Sequence, residues 1–389
     1  MNPVHTRASP RGSWMLLQHG MSNGCAHMDI KVAHRADMPL DRAYWNPDTD
    51  TELLCIDVHP ETPDVKTFTF VSRDGKHIAF TAGQYFAFDI DAGDATETRC
   101  YSLSSSPLRT NAISVTVKRV PGGKVSNWLH DHLAPGATVQ ASGPLGQFVR
   151  PTRPNQKYLF LSGGSGITPV MSMARELADT ALPVDVIFLH ASRTPGDLVF
   201  RNELASLATK LKGFRLYFLP ETLTGETSWS GLHGRISRDL FKLIVPDLTE
   251  RVILCCGPAP FMAAARTISA DLGVPPENYI EESFDPAAID DAPPPMTDEA
   301  VLAPFKVEFA KQGRTIDVTS DQTVLSCAKK AGVKIPSSCS NGLCGTCKSK
   351  LVSGTVDMNH NGGIREREIN AGFFLPCCSK PLSDLVIER

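Results

Sequence analysis

Four cysteines set the chemistry at the C-terminal end of this chain. Cys339, Cys344 and Cys347 follow the spacing C-x4-C-x2-C, and Cys377 follows after twenty-nine intervening residues. Iron takes soft thiolate ligands, and this is the ligand spacing of a [2Fe–2S] cluster held by four Cys. Gly342 and Gly345 let the loop turn tightly and aim backbone N–H groups at the sulfurs. Zinc is the other metal that four thiolates suit, but it usually takes two C-x2-C pairs, and this run holds one.

Two further stretches suit phosphate. Gly163-Gly164-Ser165-Gly166-Ile167-Thr168-Pro169 follows the apolar run Tyr158 to Ser162 and leads into a helical stretch, Val170 to Ala178. Glycines let backbone approach a pyrophosphate, and a helix N-terminus offers unpaired N–H groups and a positive dipole end. Thr168-Pro169 fits a first helical turn. The run is neither G-x-G-x-x-G nor a Lys-bearing P-loop, and a plain tight strand-to-helix turn would use the same glycines. Gly122-Gly123-Lys124-Val125-Ser126 is a second Gly-rich turn before a helix, suited to the same group. Between the two in chemistry stands Arg99-Cys100-Tyr101-Ser102-Leu103-Ser104-Ser105, where strand spacing sets Arg99 and Tyr101 on one face. Arg pairs with phosphate and Tyr stacks on a flat ring; a snorkelling Arg beside a core Tyr would read the same way.

These residues need elements to hold them. From Thr51, short β-branched and aromatic runs punctuated by Pro and Gly predict an antiparallel barrel or sandwich: Leu53–Val58, Thr67–Val71, Gln84–Ile90 and Ala112–Val117. One helix is expected from near Ser126 to His132. From Tyr158 onward, strands alternate with helices, which predicts a parallel doubly wound sheet. Residues 285–304 carry Pro286, the run Pro293-Pro294-Pro295 and several Asp, the composition of a stiff acidic linker. Beyond it, strands at Phe305–Phe309 and Thr315–Val318 and a helix near Val324–Ala331 lead to the Cys run.

The totals describe an ordinary globular chain: 389 residues, 42% hydrophobic, 21% charged, formal net charge -3. That balance argues against a dedicated nucleic-acid binder. Eleven cysteines spread over such a length, four of them in the cluster run, fit a reducing cytoplasm rather than a disulfide framework. The apolar run Trp14-Met15-Leu16-Leu17 is too short for a signal segment or a membrane span. Residues 1–46 read as a poorly ordered leader, with Met21 and Met28 as alternative starts. His130 and His132 lack a ligand partner at metal spacing and read as structural. Cys55, Cys100, Cys255, Cys327 and Cys378 read as packed neighbours.

Taken together and in this order, the motifs resemble the ferredoxin–NADP reductase superfamily, in the branch that carries a C-terminal plant-type ferredoxin domain. The resemblance covers roughly residues 50–389. It implies a FAD-binding β-barrel (47–152), an NAD(P)H-binding α/β domain (153–286), a Pro-rich acidic linker (287–303) and an α+β ferredoxin domain of β-grasp type (304–389). It implies Arg99 on the flavin pyrophosphate, Tyr101 stacked on the flavin, Ser102 near flavin N5, and Leu103 and Ser104 beside them. Gly123, Lys124, Val125 and Ser126 match the second FAD phosphate segment. Gly163, Gly164, Gly166, Thr168 and Pro169 match the pyridine-nucleotide loop. Cys256, Gly257 and Pro258 match the nicotinamide side, and Phe284 the aromatic over the flavin. Ser102, Cys256 and Phe284 are thus the implied catalytic residues, and Cys339, Cys344, Cys347 and Cys377 the cluster ligands.

Within that branch the chain looks most like reductase components of Rieske-type oxygenases acting on quaternary amines such as glycine betaine. The implied path runs from NADH through FAD and [2Fe–2S] to the oxygenase. Hybrid-cluster protein or another monooxygenase is the alternative acceptor. A redox sensor with the same cofactors is the alternative of another class. Two features depart from the family's pattern. Residues 304–389 hold twelve Lys or Arg and eight Asp or Glu, a formal +4, where plant ferredoxins are acidic; an acidic partner face would suit this. The loop from Glu221 has no Arg or Lys until Arg235, which favours NADH over NADPH, while Ser192-Arg193 points the other way.

Overall fold

The computed structural model describes residues 43–47, 49–91, 96–152, 156–180, 183, 185–226, 228–284, 304–333, 335, 342, 345, 347–360, 363–364 and 366–389. Met21, Met28 and nearly all of the expected leader lie outside the described residues, as do the expected linker 287–303 and the expected ligands Cys339 and Cys344.

Strands β1 (Glu52–Thr62), β2 (Val65–Ser72), β3 (Tyr85–Asp91), β4 (Thr96–Ser102), β5 (Ile113–Lys118) and β6 (Thr138–Leu145) form one sheet in the order β4-β3-β6-β1-β2-β5. Every pairing is antiparallel. A bridge between Leu103 and Val115 joins the two outer strands and closes the sheet into a barrel, which removes its open edges. Alternate residues of β2, β3 and β5 fill the interior, with Phe68, Phe70, Phe86 and Phe88 essentially inaccessible. Helix α1 (Lys124–His132) adds Val125 and Leu129 to that core and starts two residues before the expected Ser126. His130 is buried there, its Nε2 2.9 Å from the Val117 carbonyl oxygen.

The next unit alternates: β7 (Lys157–Gly163), α2 (Ile167–Thr180), β8 (Asp185–Ser192), α3 (Arg201–Lys210), β9 (Phe214–Pro220), α4 (Arg238–Ile244), β10 (Arg251–Cys256), α5 (Ala259–Asp271) and β11 (Tyr279–Glu282). All strands are parallel, in the order β11-β10-β7-β8-β9. Two apolar layers cover the two faces, so β10 is buried at every residue. The order runs outward from β7 in both directions. That makes the carboxyl ends of β7 and β10 a topological switch point, where such sheets hold ligands.

Barrel and sheet unit are joined by more than chain. Val65 of the barrel lies in the apolar layer built around α2. Arg175 Nη1 donates to the Ser104 carbonyl oxygen at 2.6 Å, and Ser172 Oγ to that of Ser105 at 2.7 Å. Arg109 grips Asp179 with two bonds of 2.9 and 2.6 Å.

The C-terminal unit comprises β12 (Phe305–Phe309), β13 (Arg314–Val318), α6 (Val324–Lys330), β14 (Ser349–Ser353), β15 (Val356–Met358), α7 (Glu366–Asn370), β16 (Phe373–Phe374), β17 (Ser379–Pro381) and β18 (Leu385–Ile387). Its main sheet runs β13-β12-β18-β14-β16, with β12 and β18 parallel and the other pairs antiparallel. Thr323 Oγ1 caps α6 by accepting from Ser326 N at 3.3 Å. Val307, Phe309, Val324 and Ile387 close a core of the unit's own residues. A mixed sheet with a helix across it is the β-grasp arrangement. Among the described residues, no helix is long and apolar enough to cross a membrane.

Candidate active site and cofactor sites

Strand β4 brings Arg99, Tyr101 and Ser102 to the barrel's rim. Tyr101 is half-buried, its ring edge-on to Phe88 with centroids 5.9 Å apart. Burial holds its hydroxyl well above the usual tyrosine range, so the phenol stays neutral. Arg99 Nη2 lies 3.1 Å from Glu97 Oε2, and Lys124 Nζ lies 3.5 Å from Glu97 Oε1. Two cations from different elements thus converge on one carboxylate, the arrangement a pyrophosphate would use. Lys124 opens α1, and Gly123 before it carries no side-chain cap, so the first-turn N–H groups are left for an outside acceptor. This donor set fits a flavin dinucleotide.

Four of the expected flavin residues have side chains that turn inward. Leu103 and Val125 are in the barrel core. Ser104 is fully buried, with Oγ 2.9 Å from Thr116 Oγ1. Ser126 Oγ accepts from Val120 N at 3.1 Å and closes the Gly-rich turn. Val125 and Ser126 can still offer a ligand the N–H groups of the first turn of α1, while those of Leu103 and Ser104 already donate to the Gln84 and Ser114 carbonyl oxygens.

At the switch point, two turns interlock. Gly163 to Gly166 follows β7, and Cys256-Gly257-Pro258 follows β10. A Cβ at Gly166 would overlap the Cys256 carbonyl oxygen, and one at Gly163 would come within 2.9 Å of Pro258 Cδ. Close packing of the two turns therefore explains these glycines before any ligand is considered. Gly164 is different: its φ is 53° and a Cβ there would meet nothing within 4 Å. Thr168 and Pro169 are buried in the first turn of α2, with Thr168 Oγ1 donating to the Ser165 carbonyl oxygen at 3.2 Å. Beside this turn opens a cavity of about 700 Å³. Its lining includes Gly163, Gly164, Ser165, Arg193, Glu221 and Pro258, with Val65 and Lys118 from the barrel. A cleft of this size at a helix N-terminus fits a dinucleotide.

Between the barrel rim and the switch point lies a buried acid, in the segment that also carries Phe284. Glu282, the last residue of β11, is 5% exposed. Ser102 Oγ donates to its Oε2 at 3.4 Å, and its Oε1 has no partner among the described residues. Burial pushes the carboxyl up to about 8, against the opposing hydrogen bond from Ser102. Glu282 therefore keeps its proton at neutral pH. Cys256 pairs with Glu282 across β10 and β11 and is fully buried. Burial raises its thiol well above the usual range, so it is an uncharged wall and not a nucleophile. Phe284, two residues further on, is 43% exposed. The neighbouring Glu281 is tied to Arg266.

In the C-terminal unit, Cys347 and Cys377 are buried with their sulfurs 3.2 Å apart. Gly342 N donates to Cys377 Sγ at 3.1 Å. Gly342 has φ of 74°, and a Cβ there would lie 2.6 Å from Cys378 Sγ, so only Gly lets this loop fold over the pair. A main-chain N–H aimed at a buried cysteine sulfur fits an iron–sulfur ligand. Cys378 packs beside the loop, with Sγ 3.6 Å from the Leu375 carbonyl oxygen.

Fold and sites define a class: an oxidoreductase that joins a flavin barrel, a pyridine-nucleotide sheet and a ferredoxin unit in one chain. Family models agree segment by segment. Residues 55–149 match the oxidoreductase FAD-binding domain, 160–267 the oxidoreductase NAD-binding domain, and 307–382 the 2Fe-2S iron-sulfur cluster binding domain. The chain is 40% identical over 348 residues to the glycine betaine monooxygenase reductase subunit of Pseudomonas aeruginosa, covering 86% of this chain and 94% of that one. It is 37% identical to the stachydrine N-demethylase reductase subunit of Rhizobium meliloti, covering 89% and 98%. Among solved structures it is similar to phthalate dioxygenase reductase, at 25% identity and a TM-score of 0.54, covering 89% of this chain and all of that one. The chain belongs to the ferredoxin–NADP reductase superfamily, in the branch that ends in a [2Fe–2S] ferredoxin domain and includes oxygenase reductase subunits. It is an electron-transfer oxidoreductase whose cofactors are FAD, NAD and [2Fe–2S].

Proposed function

We propose that this chain is the NADH-dependent reductase component of a Rieske-type oxygenase that demethylates a quaternary amine such as glycine betaine, working in the cytoplasm. The observation that carries this reading is that two relatives, at 40% and 37% identity and over nearly their full length, are named as reductase subunits for glycine betaine and stachydrine. The preference for NADH rests on Glu221 at the cavity rim, where a 2′-phosphate would meet a carboxylate.

In this reading Arg99 and Lys124 hold the flavin pyrophosphate in the place now kept by Glu97, with the main chain at Leu103, Ser104, Gly123, Val125 and Ser126 beside it. Tyr101 and Phe284 would supply the aromatic rings against which the flavin packs. Gly163, Gly164, Gly166, Thr168 and Pro169 form the turn that takes the nucleotide pyrophosphate, and Cys256, Gly257 and Pro258 bound the nicotinamide. When bound, FAD takes two electrons from the nicotinamide and the cluster carries them onward singly. Ser102 supplies a hydroxyl donor at the junction, and Glu282 holds a proton behind it on a buried carboxyl. The packed walls of Cys256 and Ser102 keep water from that junction. Cys347 and Cys377, with Cys339 and Cys344, hold the cluster.

Anaerobic titration with NADH and then NADPH, followed by flavin and iron–sulfur absorbance and by EPR, tests this. Bleaching by NADH, a [2Fe–2S] signal and delivery to a purified glycine betaine oxygenase are the expected results. Bleaching with no electron delivery to any Rieske oxygenase would sink the partner assignment. No bleaching with either nucleotide would sink the reductase reading.

A further inference from the structure

The rim of the nucleotide cavity carries three cations, and each is held by a carboxylate. Arg235 donates to Glu221 Oε1 through Nε at 2.8 Å and Nη2 at 2.6 Å. Lys118 Nζ donates to Asp64 Oδ2 at 2.5 Å. Arg193 Nη2 stands 3.5 Å from the same Asp64 oxygen and 3.7 Å from Asp197 Oδ1. Lys118, Arg193, Asp197, Glu221 and Arg235 all line the cavity. Asp64 lies in the short turn between β1 and β2, so it comes from the flavin barrel, while Arg193 follows β8 of the nucleotide sheet.

In such sheets the pyrophosphate sits at the glycine turn after the first strand, and the adenosine ribose reaches the end of the strand beside it. Here the glycine turn follows β7, and β8 is its neighbour on the side away from β10 and Glu282. Ser192-Arg193 at the end of β8 and Glu221 at the end of β9 therefore flank the ribose 2′ position. A 2′-phosphate would bring about two negative charges there. It could gain Arg193 only by drawing it from Asp64 and Asp197.

We infer that Asp64 is a specificity-determining residue: from the flavin domain, it holds Arg193 away from a 2′-phosphate and so makes this site select NADH. The inference rests on the proposed reductase reading. Asp64 is well placed for the role. Burial opposes its charge, but the hydrogen bond and charge of Lys118, the Thr62 hydroxyl and Arg193 together hold its carboxyl below the usual range, so it stays ionised. Arg193 is 69% exposed at its side chain, so its pairing with Asp64 and Asp197 has the modest strength of a surface ion pair. Recognition is thus divided between two domains, the sheet supplying the cation and the barrel deciding where it points. Asp64 is a positioning residue, since it acts through Arg193.

The test uses the full-length protein loaded with FAD and cluster. Binding of 2′,5′-ADP and of 5′-AMP is measured by calorimetry, alongside kcat/KM for NADPH and NADH with ferricyanide as acceptor. Asp64→Asn should tighten 2′,5′-ADP by about fivefold, the effect of one partly exposed ion pair, with 5′-AMP binding moving much less. The NADPH to NADH ratio of kcat/KM should rise by a similar factor, through KM and not kcat. Adding Arg193→Ala to Asp64→Asn should cancel the gain, and Asp64→Glu should restore the original ratio. Glu221→Gln reads the same rim from the sheet side and should also raise the ratio. Equal changes for both ligands in Asp64→Asn, or a gain that survives Arg193→Ala, would overturn the inference. Failure of the unaltered protein to oxidise either nucleotide would instead overturn the reductase reading on which it rests.

Discussion

Glu282 is a carboxylic acid kept neutral by its surroundings, and that has a sign that can be measured. Its folded value of about 8 stands above the ordinary 4.5. Between those limits the folded protein holds a proton that the unfolded chain has released, so stability falls as pH rises through this window. Glu282→Gln should flatten that fall: urea midpoints of the two proteins should converge near pH 5, and the variant should be the more stable near pH 8. Ser102 is the donor in front of it. Removing the hydroxyl by Ser102→Ala leaves a buried acceptor without its partner and should slow flavin reduction by NADH by about five- to a hundredfold in stopped-flow measurement, the consequence of roughly 1–3 kcal/mol. Cys256 adds no charge to this junction, so Cys256→Ala should alter packing and leave the shape of the pH profile unchanged.

The elements that hold these residues differ in how visible they are in the sequence. Strand β10 is apolar throughout and flanked by turn residues, so its bounds, Arg251–Cys256, are read directly. Strand β6 carries Gly143-Pro144, which weakens the strand pattern, and it passes unnoticed. Helix α4 has seven residues, too few to declare a period. The same division runs through the site. The Gly-rich turns, the Arg99-to-Ser102 run and the Cys spacing are local in sequence and legible there. The meeting of Ser102 with Glu282 spans 180 residues and two domains, and no pattern in either segment announces it. Nor does sequence tell whether a glycine faces a ligand or a neighbouring loop. Gly166 answers to the Cys256 main chain, so Gly166→Ala must push two backbone turns apart. It should cost about 1–3 kcal/mol, seen as a lower melting temperature, with nucleotide binding weakened as α2 shifts. In the C-terminal unit, Cys377→Ser should abolish the iron–sulfur absorbance and EPR signal while the flavin still bleaches with NADH.

Across the whole molecule the charge is uneven. The chain as a whole is -3, while residues 304–389 carry a formal +4. An acidic oxygenase face would be drawn to that surplus, and salt would screen the attraction. Electron delivery to the oxygenase should therefore slow as ionic strength rises, while reduction of the flavin by NADH, which needs no protein partner, should change far less.

Val65 has a consequence for how such a protein can be taken apart. A side chain that belongs to the barrel completes the apolar layer of the neighbouring sheet, and two main-chain carbonyls of the barrel, at Ser104 and Ser105, are bonded by α2. A gene cut between these two domains would leave each half with a raw greasy face and orphaned polar groups, and each should precipitate when expressed alone. The C-terminal unit closes its core with its own residues and should survive such a cut. The portable pieces, for an engineer or for recombination over evolutionary time, are then the barrel with its sheet as one cassette and the ferredoxin unit as another.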